Sequence, residues 1–396
     1  MADKNKHLDH IEDRIIIDGK KGANEAIDIL KKMGDFLSGT PGPGVSVTTK
    51  WDGAPAVICG TDPADGKFFV GTKSVFNVND PKVCKTEADI QKWYSGQLAQ
   101  KLSDALRYLP QAQIQGVLQG DMMFTNDKTR ETIDGQSYIT FRPNTITYAA
   151  NPSTPLGQDI SKAQIGMVFH TKYTGSSLQN MKASFNVGDD FKTGGVVWAE
   201  KAVFQDIGRV ASFNGAEKQK YDAAIRKAQG SIASGGNIFN QIQTGKKTLG
   251  IDTTLMKFVN QKIKAGVVPP VERTYAEFLY YLGSEYDKVI KKYKNVETQL
   301  KKAGQFLTAI EFMEENERQF KMFLATWMNI SAAKMMLVDK MKRVQGLHLF
   351  VDKGGGDYVA TTPEGFVAIT GDKATKLVDR MEFSKLNFTI PKVWDK

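Results

Sequence analysis

Hydrophobic and polar residues follow two different periodicities along the chain, and the periodicity changes near residue 205. An amphipathic helix is predicted over 22–38, because its apolar residues recur at three- and four-residue intervals, and a Gly- and Pro-rich segment ends it. Beyond it, runs rich in β-branched and aromatic residues predict strands, with one helix near 96–109 between them. The strand-like runs are 45–49, 54–60, 67–72, 116–124, 137–143 and 165–173. Gly, Asn, Asp and Pro separate these runs, which is typical of a largely antiparallel α+β domain.

After residue 205 the sequence becomes rich in Ala, Lys, Glu, Leu and Met, a composition that favours helices. Segments of this kind are 215–229 and 272–345, and the second has apolar residues at helical spacing. Thr274 and Glu277 follow two prolines with the spacing of a capping box, so we expect a helix to begin there.

Strand-like runs return near residue 347. Gly354–Gly356 lie between two of these runs and predict a hairpin turn rather than a phosphate-binding loop, because no helix follows them. A β-type pattern that stops and then resumes is typical of one domain that carries an insertion. We therefore predict an α+β domain made of 1–205 and 346–396, with 206–345 as a basic, mainly helical inserted domain.

The surplus of positive charge is confined to the predicted insertion. The chain has a formal net charge of +9; residues 206–345 hold 23 Lys and Arg against 14 Asp and Glu, and the remainder holds 30 of each. Such a segment attracts phosphate backbones, because neutralising phosphates releases counterions. The alternative is an ordinary solvated, Lys-rich helical surface. On the first interpretation, the expected nucleic-acid contacts are Lys291, Lys292, Lys294 and Arg380.

Cysteine content and hydropathy limit which cellular compartment and which kinds of chemistry we expect. Cys59 and Cys84 are the only cysteines, too few for a disulfide framework or a four-cysteine zinc site, so we expect a reducing compartment and neither redox nor zinc chemistry. The first residues are too polar for a signal peptide, and no stretch approaches the roughly 20 apolar residues of a membrane span. We therefore expect a cytoplasmic protein with no membrane partner.

Lys50-Trp51-Asp52-Gly53, between two strand-like runs, is the first candidate for chemistry. A lysine attacks an electrophile only as the neutral amine, and its unperturbed pKa is about 10.4. Apolar walls and neighbouring cations lower that pKa, and Trp51 and the apolar residues from Ala54 onward supply such walls. Taken alone, the four residues also fit a surface lysine before an Asp-Gly turn.

Later segments add groups that suit a bound nucleotide. Asp121 belongs to a hydrophobic strand-like run, and Glu364 begins another. Phe169 lies within a third run, and Lys376 lies on the last strand with a further cation close behind it. Together with Lys50, these residues supply a nucleophile, two carboxylates able to bind Mg²⁺, an aromatic ring to stack on a base and cations for phosphates.

In these residues the sequence resembles the covalent nucleotidyltransferases, the superfamily of ATP-dependent DNA and RNA ligases and mRNA capping enzymes. Lys50 to Gly53 matches its K-x-D-G nucleophile motif, and Glu364 to Val367 matches E-G-hydrophobic-V. The other matches are Lys73 at the basic position that grips phosphate and sugar, Gly120-Asp121 at the G-E motif, Phe169 at the base-stacking aromatic and Lys376 at the start of K-x-K. With 11 residues between Glu364 and Lys376, the spacing is similar to that of phage RNA ligases.

The resemblance covers about 50–175 and 345–390 and departs from the family pattern in three ways. Asp121 is one methylene shorter than the usual Glu, and Val378 replaces the second lysine of K-x-K. The candidates to supply that charge instead are Lys373, Arg380 and Lys385. Only 16 residues follow Arg380, so we expect no C-terminal OB-fold domain of the kind most DNA ligases carry.

The resemblance implies an antiparallel-sheet adenylation domain and an ATP-dependent polynucleotide ligase that uses Mg²⁺ or Mn²⁺. Lys50 is the expected catalytic residue, which forms a lysyl-AMP, and Asp121 and Glu364 are the expected metal ligands. The nucleotide-binding residues implied are Asp52, Gly53, Lys73, Asp121, Phe169, Glu364, Lys376 and Val378. The AMP then passes to a 5′-phosphate end, which a 3′-OH attacks.

The implied partner is a nicked duplex of DNA, RNA or a hybrid, which the basic insertion clamps. We expect a monomer in the cytoplasm, that of the host if the chain is phage-encoded. Two alternatives stay open at this point. One is a capping-type guanylyltransferase, which would use GTP. The other is a nucleic-acid-binding protein whose nucleotide pocket has decayed, as Asp121 and Val378 suggest.

Overall fold

The strands of the chain form three sheets, and its longer helices pack into one hydrophobic core. The structure is a computed structural model that describes residues 8–40, 44–204, 211–243, 250–342, 347–352, 358–371 and 373–384. The helices are α1 (Arg14–Ile17), α2 (Gly19–Phe36), α3 (Glu87–Trp93), α4 (Gly96–Tyr108), α5 (Pro155–Lys162), α6 (Gly215–Gly235), α7 (Ile238–Ile242), α8 (Ile251–Lys264), α9 (Val271–Lys291), α10 (Val296–Glu315) and α11 (Glu317–Met341). The strands are β1 (Ser46–Lys50), β2 (Ala56–Thr61), β3 (Phe68–Gly71), β4 (Val117–Phe124), β5 (Thr129–Ile133), β6 (Gln136–Phe141), β7 (Ile146–Ala150), β8 (Ile165–Thr174), β9 (Lys182–Ser184), β10 (Val197–Lys201), β11 (His348–Asp352), β12 (Tyr358–Ala360), β13 (Gly365–Thr370) and β14 (Lys373–Val378).

Antiparallel pairing dominates the sheets, which confirms the predicted α+β class. The strand orders are β1–β13–β14, then β10–β8–β4–β2–β3 with β9 beside β8, and β12–β11–β7–β6–β5. β10 and β8 run parallel, and the other paired strands in the described residues run antiparallel. Each strand-like run predicted before residue 205 contains a strand, whereas β5, β7, β9 and β10 were not predicted.

The sheet β1–β13–β14 has two chemically different faces. Residues that lie directly opposite each other in an antiparallel ladder share a face, and successive residues alternate between faces. Phe366 and its pair Leu377 lie on the face that contributes to the helical core. Lys50 and Lys376 therefore lie on the opposite face, since Lys50 pairs with Gly365 and Lys376 with Val367. The sequence thus places its candidate lysines away from the helices.

The helical core includes the N-terminal helices. Ile16 in α1 and Leu30 in α2 are fully buried, in the same cluster as Phe258 of α8 and Phe323 of α11. The hydroxyl of Tyr221 in α6 also donates a hydrogen bond to the carbonyl of Leu30, 2.5 Å away. This core therefore does not follow the predicted boundary at residue 205, because helices from both sides of it pack together.

The structure contradicts one local prediction and does not describe the residues of another. The predicted capping box is wrong: α9 begins at Val271, and the hydroxyl of Thr274 donates to the carbonyl of Pro269, 2.7 Å away. Glu277 instead forms ion pairs with Lys262 and Arg273. The predicted glycine hairpin at 354–356 lies outside the described residues.

A buried cluster of charges joins the N-terminal segment to α11 and to the end of β14. The ammonium of Lys334 lies 2.7 Å from Glu12, and the guanidinium of Arg380 lies 2.9 Å from Asp13. Burial would raise the pKa of Glu12, but Lys334 and Arg380 outweigh it and lower the pKa to about 2. The indole of Trp327 also donates to Asp13, at 3.2 Å. Each buried charge is thus compensated by an opposite one.

Arg380 is therefore a buried structural cation rather than the nucleic-acid contact that the sequence predicts. Its exposed fraction is 6%, and its guanidinium is engaged by Glu12, Asp13 and Asn260. The error arises because a cation near a strand end looks the same in sequence whether it faces solvent or a buried carboxylate.

Among the described residues, every helix is too short or too polar to cross a bilayer.

Replacing Lys334 with Met should destabilise the protein by about 3 kcal/mol, because it leaves Glu12 as an undercompensated buried charge. Urea unfolding followed by tryptophan fluorescence at neutral pH measures the effect. The matched control is Lys227→Met on the exposed surface of α6, which should change the free energy of unfolding by no more than about 0.5 kcal/mol. Equal stability of the two variants would contradict the role assigned to the cluster.

Candidate active site

The site begins at the end of β1, where Lys50 lies directly opposite Gly365 at the start of β13. Glu364 immediately precedes Gly365, and the ammonium of Lys50 donates a hydrogen bond to its carboxylate. Both side chains are largely buried, with 26% of Lys50 and 12% of Glu364 exposed. The antiparallel ladder thus builds the first contact of the site from segments far apart in sequence.

The surroundings of Lys50 keep its amine charged. Burial lowers the pKa of this amine, but the carboxylates of Glu364, Asp121 and Asp52 outweigh burial and raise the pKa above its ordinary value. This result differs from the expectation that apolar walls and nearby cations lower the pKa. In this arrangement the amine is an ammonium ion, so it becomes a nucleophile only when its pair with Glu364 is broken and its proton is removed.

Asp52 anchors the loop after Lys50. Its carboxylate accepts hydrogen bonds from the side-chain amide of Asn144 at 2.7 Å and from the backbone amides of Thr145 and Ile146 at 2.7 and 2.8 Å. Its own backbone amide donates to the hydroxyl of Tyr148, at 2.8 Å. These bonds tie the loop to the start of β7. Asp52 therefore positions the backbone beside Lys50, and its carboxylate already has three protein donors.

Gly53 allows the same loop to approach β4 closely. A Cβ atom at this position would lie 2.6 Å from the Cβ of Asp121 and 2.9 Å from the sulfur of Met123, closer than carbon atoms can pack. Two backbone hydrogen bonds hold the loop there, from Ala54 to Met122 at 2.9 Å and from Met122 to Pro55 at 3.0 Å. The contact brings Asp121, which belongs to the second sheet, next to the end of β1.

Asp121 has one neighbour that the sequence analysis left out of the chemistry. The Nε2 atom of His170 lies 3.8 Å from its carboxylate, and the Nδ1 atom of His170 is 2.7 Å from the hydroxyl of Thr171. About a quarter of each side chain is exposed, 23% for Asp121 and 27% for His170. The signal that could have identified His170 is strand alternation, because it follows Phe169 and therefore faces the other side of the sheet.

Lys376 is the second cation of the site. It lies on the same sheet face as Lys50, and its backbone amide donates to the carbonyl of Asp9, at 2.9 Å. Burial and the positive charge of Lys50 together lower the pKa of its amine. Lys376, rather than Lys50, is thus the lysine with a lowered pKa, because Lys50 has the stronger interaction with a carboxylate.

Val378 is a buried apolar residue of the same face, 2% exposed, in a cluster that includes Met123 and Trp198. Of the candidates to replace the expected second lysine, Lys373 pairs with Glu25, at 2.7 Å, and Arg380 is committed to the buried cluster. Lys385 lies outside the described residues. Among the described residues, neither of these candidates supplies a second cation beside Lys376.

Phe169 is a core residue in this structure rather than the base-stacking ring that the sequence predicts. It is fully buried, and its ring packs against Phe191 with centroids 4.9 Å apart. It lies opposite Gly120, whose added Cβ would be 2.8 Å from the ring, whereas Asp121 lies opposite Val168. Phe169 and Asp121 therefore point to opposite faces of the sheet.

Lys73 is exposed at the start of a short 3₁₀ helix that follows β3. Gly71 of β3 pairs with Ile58 of β2, and Lys73 follows Gly71 by two residues, which corresponds to the level of Ala56 in β2. Ala56 in turn pairs with Asp121 of β4, on the other side of β2. Lys73 thus lies at the same end of the second sheet as Asp121. Its contact with phosphate or sugar stays a prediction.

The two carboxylates expected to bind Mg²⁺, those of Asp121 and Glu364, both act on the pKa of Lys50 and therefore both lie near its amine. Mg²⁺ on a nucleotide commonly needs only one or two protein carboxylates, because phosphate oxygens and waters supply its other ligands. In the described part of the chain, no three or more His, Cys, Asp or Glu side chains are grouped to hold a metal. The residues present thus fit a metal that arrives with the nucleotide.

The three lysines predicted to contact nucleic acid lie at and after the end of α9. Lys291, Lys292 and Lys294 are all exposed, and Lys291 is paired with Asp287 at 2.5 Å. Their exposure is compatible with either interpretation made from the sequence, a nucleic-acid contact or a solvated surface.

Replacing Gly53 with Ala should displace either the loop or Asp121 and should destabilise the protein by about 2 kcal/mol, as overpacking does. Thermal unfolding measures this loss. The control is Gly230→Ala in α6, where a Cβ meets no atom within 4 Å and helix propensity favours Ala by about 1 kcal/mol. A Gly53→Ala variant as stable as the natural protein would contradict the close packing.

Replacing Glu364 with Gln should lower the pKa of Lys50 and expose a larger fraction of neutral amine, by about tenfold for each pKa unit lost. The measurement is the rate at which a small amine-acylating reagent modifies Lys50 at about pH 8, followed by mass spectrometry of the Lys50 peptide. Glu25→Gln is the matched control, because it removes the partner of Lys373 instead. An unchanged rate at Lys50 in Glu364→Gln would refute the electrostatic assignment.

Comparison with known proteins places the chain in a family. It belongs to the family described as a family of unknown function (DUF6267), whose model matches residues 5–392. No curated protein and no solved structure matches the chain.

Proposed function

We propose that the chain is an ATP-dependent polynucleotide ligase that joins 3′-OH and 5′-phosphate ends through a lysyl-AMP on Lys50. The observation that supports this most is that Lys50 and Lys376 lie on one face of one sheet, with Glu364 hydrogen-bonded to Lys50 and Asp121 brought beside them by the Gly53 contact. These residues belong to four separate segments, and each matches a motif of the covalent nucleotidyltransferases. On this proposal the β-rich part of the chain is an adenylation domain.

The first step forms the covalent intermediate. The neutral amine of Lys50 attacks the α-phosphorus of ATP, a nitrogen–phosphorus bond forms, and the bond to the β-phosphate oxygen breaks as pyrophosphate leaves. Glu364 is the hydrogen-bond acceptor next to this amine, so it is the group that takes up or passes on the ammonium proton. The nucleophile is thus held as an inactive ammonium until its pair with Glu364 is broken and its proton is removed.

Positive charge near the reacting phosphorus comes from Lys376. Burial and the positive charge of Lys50 lower the pKa of the Lys376 amine, so the two amines lie close together. With phosphate bound beside it, Lys376 is an ammonium ion that stabilises the growing negative charge of the phosphoryl oxygens. Asp121 and Glu364 would hold Mg²⁺, which as a Lewis acid stabilises phosphate charge and orients the leaving group.

The remaining two steps complete ligation. A 5′-phosphate oxygen attacks the lysyl-bound phosphorus, which frees the Lys50 amine and caps the strand with AMP. A 3′-OH then attacks the 5′-phosphate and releases AMP, so one ATP is consumed for each phosphodiester bond. The partner on this proposal is a nicked duplex of DNA, RNA or a hybrid, and parallel sealing assays on the three substrates determine which is preferred.

Incubation with ATP labelled at the α-phosphate and Mg²⁺ should leave the label covalently on the protein, and Lys50→Met should abolish it. Denaturing electrophoresis and acid lability of the phosphoramidate measure the product. Lys227→Met, a surface lysine of α6, is the matched control and should label like the natural protein. Absence of label, or label that survives Lys50→Met, would refute the proposal.

A second candidate is favoured by two observations, the burial of Phe169 and the apolar Val378 in place of a cation. On this alternative the chain binds nucleic acid through a nucleotide pocket that has lost catalysis. It predicts salt-sensitive binding to nucleic acid without label from any nucleotide. Label from GTP in place of ATP would instead select a capping-type guanylyltransferase.

A further inference from the structure

One side of α10 exposes a continuous row of apolar and small residues. Val296, Leu300 and Leu307 are 66%, 68% and 59% exposed, and Ala303 and Gly304 lie between them. At 100° per residue, all five fall within about 100° of the helix circumference. Large apolar side chains exposed in a row on one helix face, rather than scattered singly, indicate a surface that another molecule covers.

The other side of α10 is the one that holds the helix to the rest of the chain. Phe306 packs against Tyr286 of α9, with ring centroids 5.2 Å apart, and lies 3.5 Å from where a Cβ of Gly283 would be. Ala309 and Met313 are fully buried. By contrast, a Cβ added at Gly304 would meet no atom within 4 Å. The apolar row therefore plays no part in fixing α10 to α9.

Most of the charges at the two ends of α10 oppose the helix dipole, with Glu297 in the first turn as the exception. Lys292 and Lys294 precede its positive N-terminal end, while Glu311, Glu314 and Glu315 lie at its negative C-terminal end. Within one helix this order is unfavourable, because each group meets a partial charge of its own sign. None of the ion pairs between described residues involves these five side chains. The charges are thus placed to meet opposite charges outside their own helix.

We propose that this face of α10 docks a second copy of the chain, with the two α10 helices antiparallel about a two-fold axis. An axis between Ala303 and Gly304 places the smallest residues of the row at the crossing point. It also sets Leu300 of one protomer against Leu307 of its partner, and Lys292 of one protomer against Glu315 of its partner. Leucine therefore meets leucine near the centre and lysine meets glutamate at the ends, as an isologous interface requires.

The size of the face sets the strength of this dimer. The row spans little more than half of one 20-residue helix, so two such faces bury less than the roughly 800 Å² per partner of a standard interface. We therefore infer a weak dimer, with a dissociation constant on the order of 10 μM. On this proposal the chain is a dimer at high concentration rather than the monomer expected from the sequence, and Lys292 and Lys294 have a role other than nucleic-acid contact.

Sedimentation velocity at concentrations from about tenfold below to tenfold above that value tests the dimer. The natural chain should shift from monomer to dimer, and Leu300→Gln with Leu307→Gln should remain monomeric while its circular dichroism and melting temperature are unchanged. Val78→Gln is the matched control, because Val78 is also exposed, at 76%, but lies far from α10 in sequence. A natural chain that stays monomeric throughout, or a Leu variant that still dimerises, would overturn the proposal.

A charge exchange tests the orientation at low ionic strength. Lys292→Glu with Lys294→Glu, and separately Glu314→Lys with Glu315→Lys, should each weaken the dimer by about tenfold through like-charge contacts at both ends. All four changes in one chain should restore it, because only an antiparallel pair then regains opposite charges. If association reflected bound nucleic acid instead, the Glu→Lys variant would strengthen it, and nuclease would abolish it. That outcome, or failure of the fourfold variant to recover, would overturn the proposal.

Discussion

The antiparallel pairing of β1 with β13 is the constraint on which the site depends. It sets Lys50 opposite Gly365, so Glu364 reaches the amine, and β14 adds Lys376 to the same face one ladder step away. The opposite face of this sheet is closed by the helical core through residues such as Phe366 and Leu377. A slip of one residue between β1 and β13 would turn Lys50 towards that core. Packing of the hydrophobic face against the helical core thus determines that the two lysines lie on the opposite face.

The charges around Lys50 hold its amine in the protonated, unreactive form. Lys50 is surrounded by carboxylates that raise the pKa of its amine, whereas Lys376, with burial and a cationic neighbour, has a lowered one. On the proposed function, a polyphosphate brings further negative charge, which by itself would keep the pKa of Lys50 high. Proton loss at Lys50 therefore depends on positive charge that arrives with the nucleotide or comes from Lys376, and the amine stays unreactive towards other electrophiles until then.

Sequence reasoning succeeded where a residue's role follows from its own backbone position. The strand-like runs and the position of Lys50 at the end of one of them follow from local pattern. It failed where the role depends on which face a side chain takes or on what it meets there. Phe169 is buried because it shares a face with Gly120 under the helices, and Arg380 because Asp13 meets it in the core. Neither partner can be identified from a single sequence, since the contacts link distant segments.

The long span between β1 and its partner strand β13 also bears on how the molecule is made. A ribosome releases β1 about 315 residues before the start of β13, so β1 lacks its ladder neighbour until that much more of the chain has been made. During that interval one of its edges and its apolar face are open to pairing with the wrong strand. The pair of Lys50 with Glu364 therefore forms only after β13 has begun to emerge, and a chain that stops before residue 364 cannot contain it.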